Sequence, residues 1–412
     1  MKTKALTILL LLLPVLTACA RTPDIGIRVS EIEGHFTGVA AGHGTTFAIH
    51  CDGSLWWWGR FVSADAGFST TCRDADGAFY GARLVDIDGH VVYVASAGHG
   101  GNSSARGHAM AITSCGVLWG WGYNRNGQVG NGTRQLQGVP VRIMDDVVSV
   151  VTVDSATLAI TSDGRLWGWG LNRNGRLGGI GELSEHPVVI MEDIAQVSGG
   201  LWHTLAIGTD GTLWGIGIVS ALGVGIGQPI GTPTADMPAI TTPVKIMEDV
   251  VAIAAGGSHS LALTSCGALW VWGNNVGGQL GNGRRASRND TYINYPYPVM
   301  RKENVVAIAA GHMHSAAITS DGGLYVWGLN ESTNQFTPDT QFVLQPQRIM
   351  EDVASIHIST SNMALHTHMI AVKNDNSLWS WGNNTYGQLG DSAILHSNRW
   401  EPALIHTPGL SG

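Results

Sequence analysis

The chain has 412 residues, with 23 Lys or Arg against 31 Asp or Glu, a formal net charge of −8, and only 13% charged residues in all. An acidic chain without a Lys/Arg cluster lacks the basic footprint that nucleic-acid binding depends on. Its 56 glycines are about twice the usual share and do not follow a Gly-X-Y period, which excludes a collagen-like rod and points to turns.

The first residues have the layout of a secretory signal: Lys2 and Lys4, an apolar run from Ala5 to Leu13, then small residues up to Cys19. The run is broken by Pro14 and is too short for a membrane span of about 20 residues. Leu16-Thr17-Ala18-Cys19 resembles the lipobox of bacterial lipoproteins. That resemblance implies cleavage before Cys19 and a diacylglycerol on its sulfur, leaving the mature protein anchored to a membrane outside the cytoplasm. An ordinary cleavage near Ala18, with Cys19 an incidental thiol, is the alternative.

From residue 30 onward one phrase returns seven times, a short apolar run, a tight turn, then an aromatic strand closing on Gly59, Gly122, Gly170, Gly217, Gly273, Gly328 and Gly382. Spacings of 47 to 63 residues mark an array of supersecondary units. In the fifth copy, Val251 to Ala254 reads as a buried strand, and Ser260 to Thr264 alternates as a half-buried one. Ser265-Cys266-Gly267 is a hairpin turn whose counterparts at Asp163, Asp210 and Asp321 read Asp-Gly. Ala268 to Trp272 suits a pleated surface, and a fourth strand begins at a proline, as at Pro140, Pro187, Pro243 and Pro346. Four short antiparallel strands per repeat, with no helical period, predict an all-β, seven-bladed β-propeller. The last strand, Pro402 to Ile405, has no repeat after it. It is expected to complete the N-terminal copy's sheet, so that paired N- and C-terminal strands close the ring and remove exposed edges. The expected organisation is a signal at 1–18, a tether at 19–30, the propeller at 31–406 and a tail at 407–412.

Cys51 and Cys72 flank the insertion of the first copy and are candidates for a disulfide, which an exported protein can keep. Cys115 and Cys266 occupy equivalent turns three blades apart, beyond the roughly 7 Å that a disulfide allows between Cα atoms. The fifteen tryptophans fall mostly in the Trp-Gly strands, as packing residues would. Histidines recur at one position, His108, His203, His259, His314 and His368, with Thr45 and Ala156 in the other two copies. Ligands of one zinc ion must all approach to about 2.0–2.1 Å, which positions spread around a ring do not, so hydrogen-bonded structural histidines are expected.

Gly278 to Gly283 (GQLGNG), Gly127 to Gly132 (GQVGNG) and Gly387 to Asp391 (GQLGD), each after a Trp-Gly strand, resemble RCC1 (regulator of chromosome condensation) repeats. The Gly-x-x-His segments at Gly256 to His259 and Gly311 to His314 do too. The resemblance covers roughly residues 30 to 406 and implies a seven-bladed propeller. Similar proteins include a nuclear guanine-nucleotide exchange factor and a secreted bacterial β-lactamase inhibitor, activities that reside in loops particular to each. The third and fourth copies depart from the pattern, with Asn174-Gly175-Arg176-Leu177-Gly178 in one and Ile216 in place of Trp in the other.

No GxSxG elbow, P-loop or HExxH pair is present, so neither an enzyme nor a cofactor or metal site is expected. The carboxylates of the first insertion, such as Asp65, Asp74, Asp86 and Asp88, do not have EF-hand spacing. Function is expected where the repeats break pattern, in insertions Arg60 to Gly89, Ile218 to Thr242, Arg284 to Pro298 and Glu331 to Gln345. Repeat insertions tend to gather on one face and bind there. Tyr292, Tyr295 and Tyr297, with Arg288 nearby, fit hot-spot chemistry. The reading is a membrane-tethered, non-enzymatic propeller that binds an unidentified protein partner and no nucleic acid. A propeller that binds or processes an envelope glycan is the alternative.

Overall fold

The structure is a computed structural model and describes residues 29–60, 82–101, 104–223, 239–286, 294–302, 304–329, 342–359, 367–391 and 397–406. Among them, seven four-stranded antiparallel sheets follow one another, each made of four strands consecutive in the chain. First strands of neighbouring blades touch one another around the ring, blade seven returning to blade one, so they line the axis and the fourth strands form the rim. Among the described residues no helix is long and apolar enough to cross a membrane.

Blade five shows how the sequence makes the sheet. Its strands are Val250–Ala255, His259–Thr264, Leu269–Asn274 and Asn294–Lys302. The second strand was expected to be half-buried, yet all six of its residues are buried. Each blade is covered on both faces by its neighbours, so the polar Ser260 goes inside along with Leu261 and must find partners there. The turn to the third strand is closed by Gly267 at φ 79°.

The glycine that ends each third strand has a steric reason. All seven have φ between 90° and 115°. At Gly328 a Cβ would lie 2.2 Å from the Met313 carbonyl oxygen, and at Gly273 2.7 Å from that of Ser258. A side chain there meets backbone that cannot give way.

The fourth strands start before their prolines: Leu183–Met191 contains Pro187 and Phe342–Met350 contains Pro346. The register with the third strand slips there, Gly170 facing Ser184 while Gly168 faces Val188. A proline is tolerated at such a bulge on an edge strand because no ladder hydrogen bond is asked of it. The chain then turns to the next blade through residues with φ near 60°: Asp146, Asp193, Asp249, Asn304 and Asp352. Asp and Asn accept this conformation more readily than other side chains.

Packing lies between blades. Leu261 and Leu280 of blade five cluster with Ala317 and Trp327 of blade six, and equivalent clusters fill the other seams. Trp58, Trp169, Trp272 and Trp327 are no more than 1% exposed. Each such indole removes roughly 150–250 Å² from water, which makes these aromatics blade-packing residues.

The seven-bladed propeller is as expected, but the ring does not close by sharing a blade. Arg399–His406 pairs with Leu378–Gly382 of blade seven, and blade one has its own fourth strand, Arg83–Val85, beside Leu55–Gly59. The sequence repeat and the blade are in phase, so no strand is left over to exchange. Side chains close the ring instead: the His406 ring nitrogens lie 3.1 Å from the carbonyls of Val29 and Gly34, and the rings of Phe36 and His406 stand 5.0 Å apart.

Candidate partner-binding face

Antiparallel order puts the turns between first and second strands, and between third and fourth strands, at one end of every blade. The second-to-third turns and the blade-to-blade connections lie at the other. The long connections 60–82, 219–238 and 275–293 all leave from the first end, called here the insertion end.

Beneath that end runs a repeated clasp between blades. His108 Nε2 lies 2.9 Å from the Thr157 hydroxyl, His203 Nε2 2.8 Å from Ser260, His259 Nε2 2.9 Å from Ser315, and His368 Nε2 3.1 Å from Thr46. Each pair joins consecutive blades, and the last joins blade seven to blade one. The Thr157, Ser315 and Thr46 hydroxyls donate to the carbonyls of Gln128, Gln279 and Gln388, each at 2.8 Å. The indoles of Trp169, Trp327 and Trp58 donate to the same three carbonyls at 2.9, 2.8 and 3.0 Å. With its hydrogen committed, the hydroxyl can only accept from the histidine, which sets the Nε2–H tautomer. Nδ1 of all these rings is buried without a partner. Protonating it would bury an unpaired cation, and desolvation lowers His203, His259 and His368 to about 3 and His108 to about 4. The histidines are therefore structural, neutral donors. Among the described residues no group of three His, Cys, Asp or Glu is placed to hold a metal ion.

The clasp varies where the sequence departs from pattern. Between blades three and four Arg176 stands at the glutamine position, 1% exposed, donating from Nη1 to Leu201 O at 2.8 Å and lying 3.8 Å from Asp154 Oδ2. Between blades four and five a four-residue helix, Val219–Leu222, replaces the Gly-Gln loop, and Ser260 donates to Ala221 O.

At the insertion end, arginines sit on aromatic faces across blade boundaries. Arg285 of blade five lies 4.2 Å from the Phe342 ring of blade six, Arg60 of blade one 5.1 Å from Tyr386 of blade seven, and Arg173 of blade three 6.0 Å from Trp202 of blade four. The opposite end carries carboxylates in its turns. Asp163 and Asp321 are held below the usual carboxylate range by the hydroxyls of Thr161 and Thr319. Lys245 and Lys373 also belong to that end.

Tyr295 and Tyr297 were expected in an inserted loop, yet they lie in the fourth strand of blade five, with Tyr295 opposite Gly273. Tyr292, Arg288, Cys72 and Cys19 lie outside the described residues. Cys51 is exposed in a second-to-third turn, at the end away from the 60–82 connection. Cys115 and Cys266 are free and exposed, each Sγ 3.2 Å from a threonine hydroxyl. Sequence reasoning missed the Arg–aromatic pairs, whose members come from separate repeats; only the arginine-for-glutamine change at Arg176 was visible beforehand.

The family profile described as regulator of chromosome condensation (RCC1) repeat matches residues 116–160, 163–207 and 267–318. A second profile of that description matches 147–176, 250–279, 305–333 and 367–388. The matched segments resemble RCC1 repeats. The chain is 32% identical over 177 residues to E3 ubiquitin-protein ligase HERC2 of Homo sapiens, a match covering 41% of this chain and 3% of that protein. It is 34% identical over 174 residues to the secretion-regulating guanine nucleotide exchange factor of Bos taurus, covering 40% and 36%. Among solved structures it is similar to human WBSCR16 (TM-score 0.64, 20% identity, 85% of this chain and 94% of that). Prp20p of Saccharomyces cerevisiae is another (TM-score 0.62, 19% identity, 79% and 80%). Likeness at that identity concerns the fold alone.

Proposed function

We propose that this RCC1-type propeller is a non-enzymatic scaffold that holds a protein partner on its insertion end, tethered outside the cytoplasm through a lipid on Cys19. The observation that carries the reading is the exit of the long connections 60–82, 219–238 and 275–293 from one end, where arginines also lie on aromatic faces. Arginine over an aromatic ring is pre-organised and weakly hydrated, a combination favoured at protein interfaces. Prp20p, alike in fold, binds Gsp1p and histones, so this architecture can serve as a protein-binding platform.

The test is capture of a partner from native envelope by the full chain. Changing Tyr292, Tyr295 and Tyr297 to Ala, or Arg60 and Arg285 to Ala, is expected to abolish capture. Changing Asp163 and Asp321 to Ala at the opposite end is expected to leave it intact. Equal capture by all three variants would overturn the assignment of the face. Fatty-acid labelling of the wild type and not of Cys19→Ala is the expected sign of the tether.

A further inference from the structure

One residue in every blade breaks the pairing of the first strand with the second. The register slips between Val91 and Tyr93, between Val250 and Ala252 and between Val305 and Ala307, and likewise in the other blades. The residues left without a cross-strand partner are Val92, Val148, Val251 and Val306 in blades two, three, five and six, and Thr37, Ala195 and Ala354 in the others. A bulge re-aims its side chain, and all seven are exposed. The four valines leave 45% to 60% of their surface in water, although the valine just before each is no more than 3% exposed.

These bulges are held firmly. The N–H of the residue before each valine donates to the turn glycine of the preceding blade, Val147 to Gly116, Val250 to Gly211 and Val305 to Gly267, at 2.9–3.1 Å. Gln196 of blade four also donates to Val251 O of blade five at 3.0 Å. First strands of neighbouring blades touch around the axis, so the bulged residues surround its mouth at the end opposite the insertion end. Apolar side chains gathered in one place mark a contact surface, where the same residues scattered singly would not. A fixed backbone beneath them spares a partner the cost of ordering it.

Charge says what covers them. Asp146, Asp193, Asp249 and Asp352 stand two residues before Val148, Ala195, Val251 and Ala354, and all four are exposed. The acid before each is engaged within its own blade, Asp145 by Arg142 at 2.6 Å, Glu192 by Arg165 at 3.8 Å, Glu351 by Arg348 at 3.7 Å, and Glu248 by Lys245. Among the described residues no cation pairs with the four aspartates themselves. Apolar groups flanked by unpaired carboxylates complement apolar groups flanked by cations, and they repel an acidic partner.

We propose that this axial mouth is a second docking surface, for a lysine- or arginine-bearing amphipathic segment of a partner protein. The segment's apolar side chains cover the exposed valines, and its cations meet Asp146, Asp193, Asp249 and Asp352. The surface is separate from the insertion end and goes beyond the function proposed for that end.

The probe is a blocked helical peptide of roughly 12–15 residues, Leu on one face and Lys on the other, titrated into the full chain and followed by fluorescence anisotropy. The wild type is expected to bind it, more weakly as salt rises, and not to bind the same peptide with Glu in place of Lys. Changing Val148, Val251 and Val306 together to Ser is expected to weaken binding by about 10-fold or more at constant salt. Changing Asp146, Asp193 and Asp249 together to Asn is expected to cost a similar factor, roughly 10-fold, and to flatten the salt dependence. All six side chains are exposed, and Asn304 holds the equivalent turn at φ 61°, so both triple variants are expected to melt close to the wild type. Arg60→Ala with Arg285→Ala is expected to leave this binding unchanged. Absence of binding, or equal binding of a scrambled peptide of the same composition, would overturn the proposal. So would an affinity that the valine variant leaves intact, because charge alone would then account for it. Self-association of the chain that the valine variant abolishes would also overturn it, a second copy being the occupant. Each of these failures leaves the insertion-end reading standing.

Discussion

His368 of blade seven and Thr46 of blade one, 322 residues apart in sequence, meet at 3.1 Å, and that contact closes the ring with the same clasp that joins blades two and three. Thr46 also donates to Gln388 O at 2.8 Å, so one hydroxyl serves two groups of the last repeat. Thr46→Val keeps the shape but leaves the buried His368 Nε2–H without its acceptor, while Gln388 O keeps the Trp58 indole donor. It is expected to lower unfolding free energy by about 1–3 kcal/mol, the cost of leaving buried polar groups unpaired. Ala109→Ser, at the equivalent position where Thr45 replaces histidine, adds a hydroxyl with no histidine to meet and is expected to give no gain. Urea denaturation of both variants checks the pair.

Acid should weaken the protein through the clasp histidines. Their folded values of about 3 for His203, His259 and His368 and about 4 for His108 lie below the unfolded 6.5. The unfolded chain therefore binds more protons between those limits, and stability falls as pH drops from 6.5 toward 4. Within that window each such ring contributes a slope of about 1.4 kcal/mol per pH unit. Denaturation midpoints measured from pH 7.5 to 4.5 are expected to fall steeply, and His203→Gln is expected to make the fall shallower. A flat profile would contradict the neutral, buried state of these rings.

Gly328 and Gly181 separate conformational strain from collision. Gly328 has φ 111° with carbonyl oxygen 2.2 Å from the site of a Cβ, whereas Gly181 has φ 86° with nothing within 4 Å. Gly181→Ala is expected to cost about 1–2 kcal/mol for the left-handed backbone alone. Gly328→Ala must cost more, because the Met313 backbone has to move as well. Thermal unfolding of the two variants side by side measures the difference.

Arg176→Gln would restore the repeat's own wording and still destabilise the protein. It leaves the buried Asp154 without the guanidinium 3.8 Å away and deprives Leu201 O of its donor. The expected loss is about 3 kcal/mol, as for a buried pair robbed of one partner. Adding Asp154→Asn, which removes the buried charge, is expected to recover part of that loss. Chemical denaturation of the single and double variants checks the coupling.

The repeat count, the turn chemistry and the place of the tryptophans were legible because each is written within about 25 neighbouring residues. Asp163-Gly164 makes its hairpin and Gly273 its tight approach whatever lies elsewhere in the chain. Three expectations failed for one reason, the presence of a neighbouring blade or strand that local pattern does not show. Ser260 to Thr264 reads as half-buried from its alternation, but blade six covers the face that alternation assigns to water. The strand ending at His406 was assigned to the first sheet, although blade one completes itself with Arg83–Val85. Tyr295 and Tyr297 read as loop because Pro296 and Pro298 interrupt the run, yet an edge strand with a bulge accommodates both prolines.

Sequence alone determined the blade: its strand period, its Asp-Gly turns, its closing glycine and the number of times they recur. Tertiary structure alone decided what happens between blades, from Arg60 over Tyr386 to the partnering of His368 and Thr46. The physical reason is that a blade is held by local hydrogen bonds whose donors and acceptors are neighbours in the chain. A seam is held by side chains one or more repeats apart, which meet only when the ring curves shut.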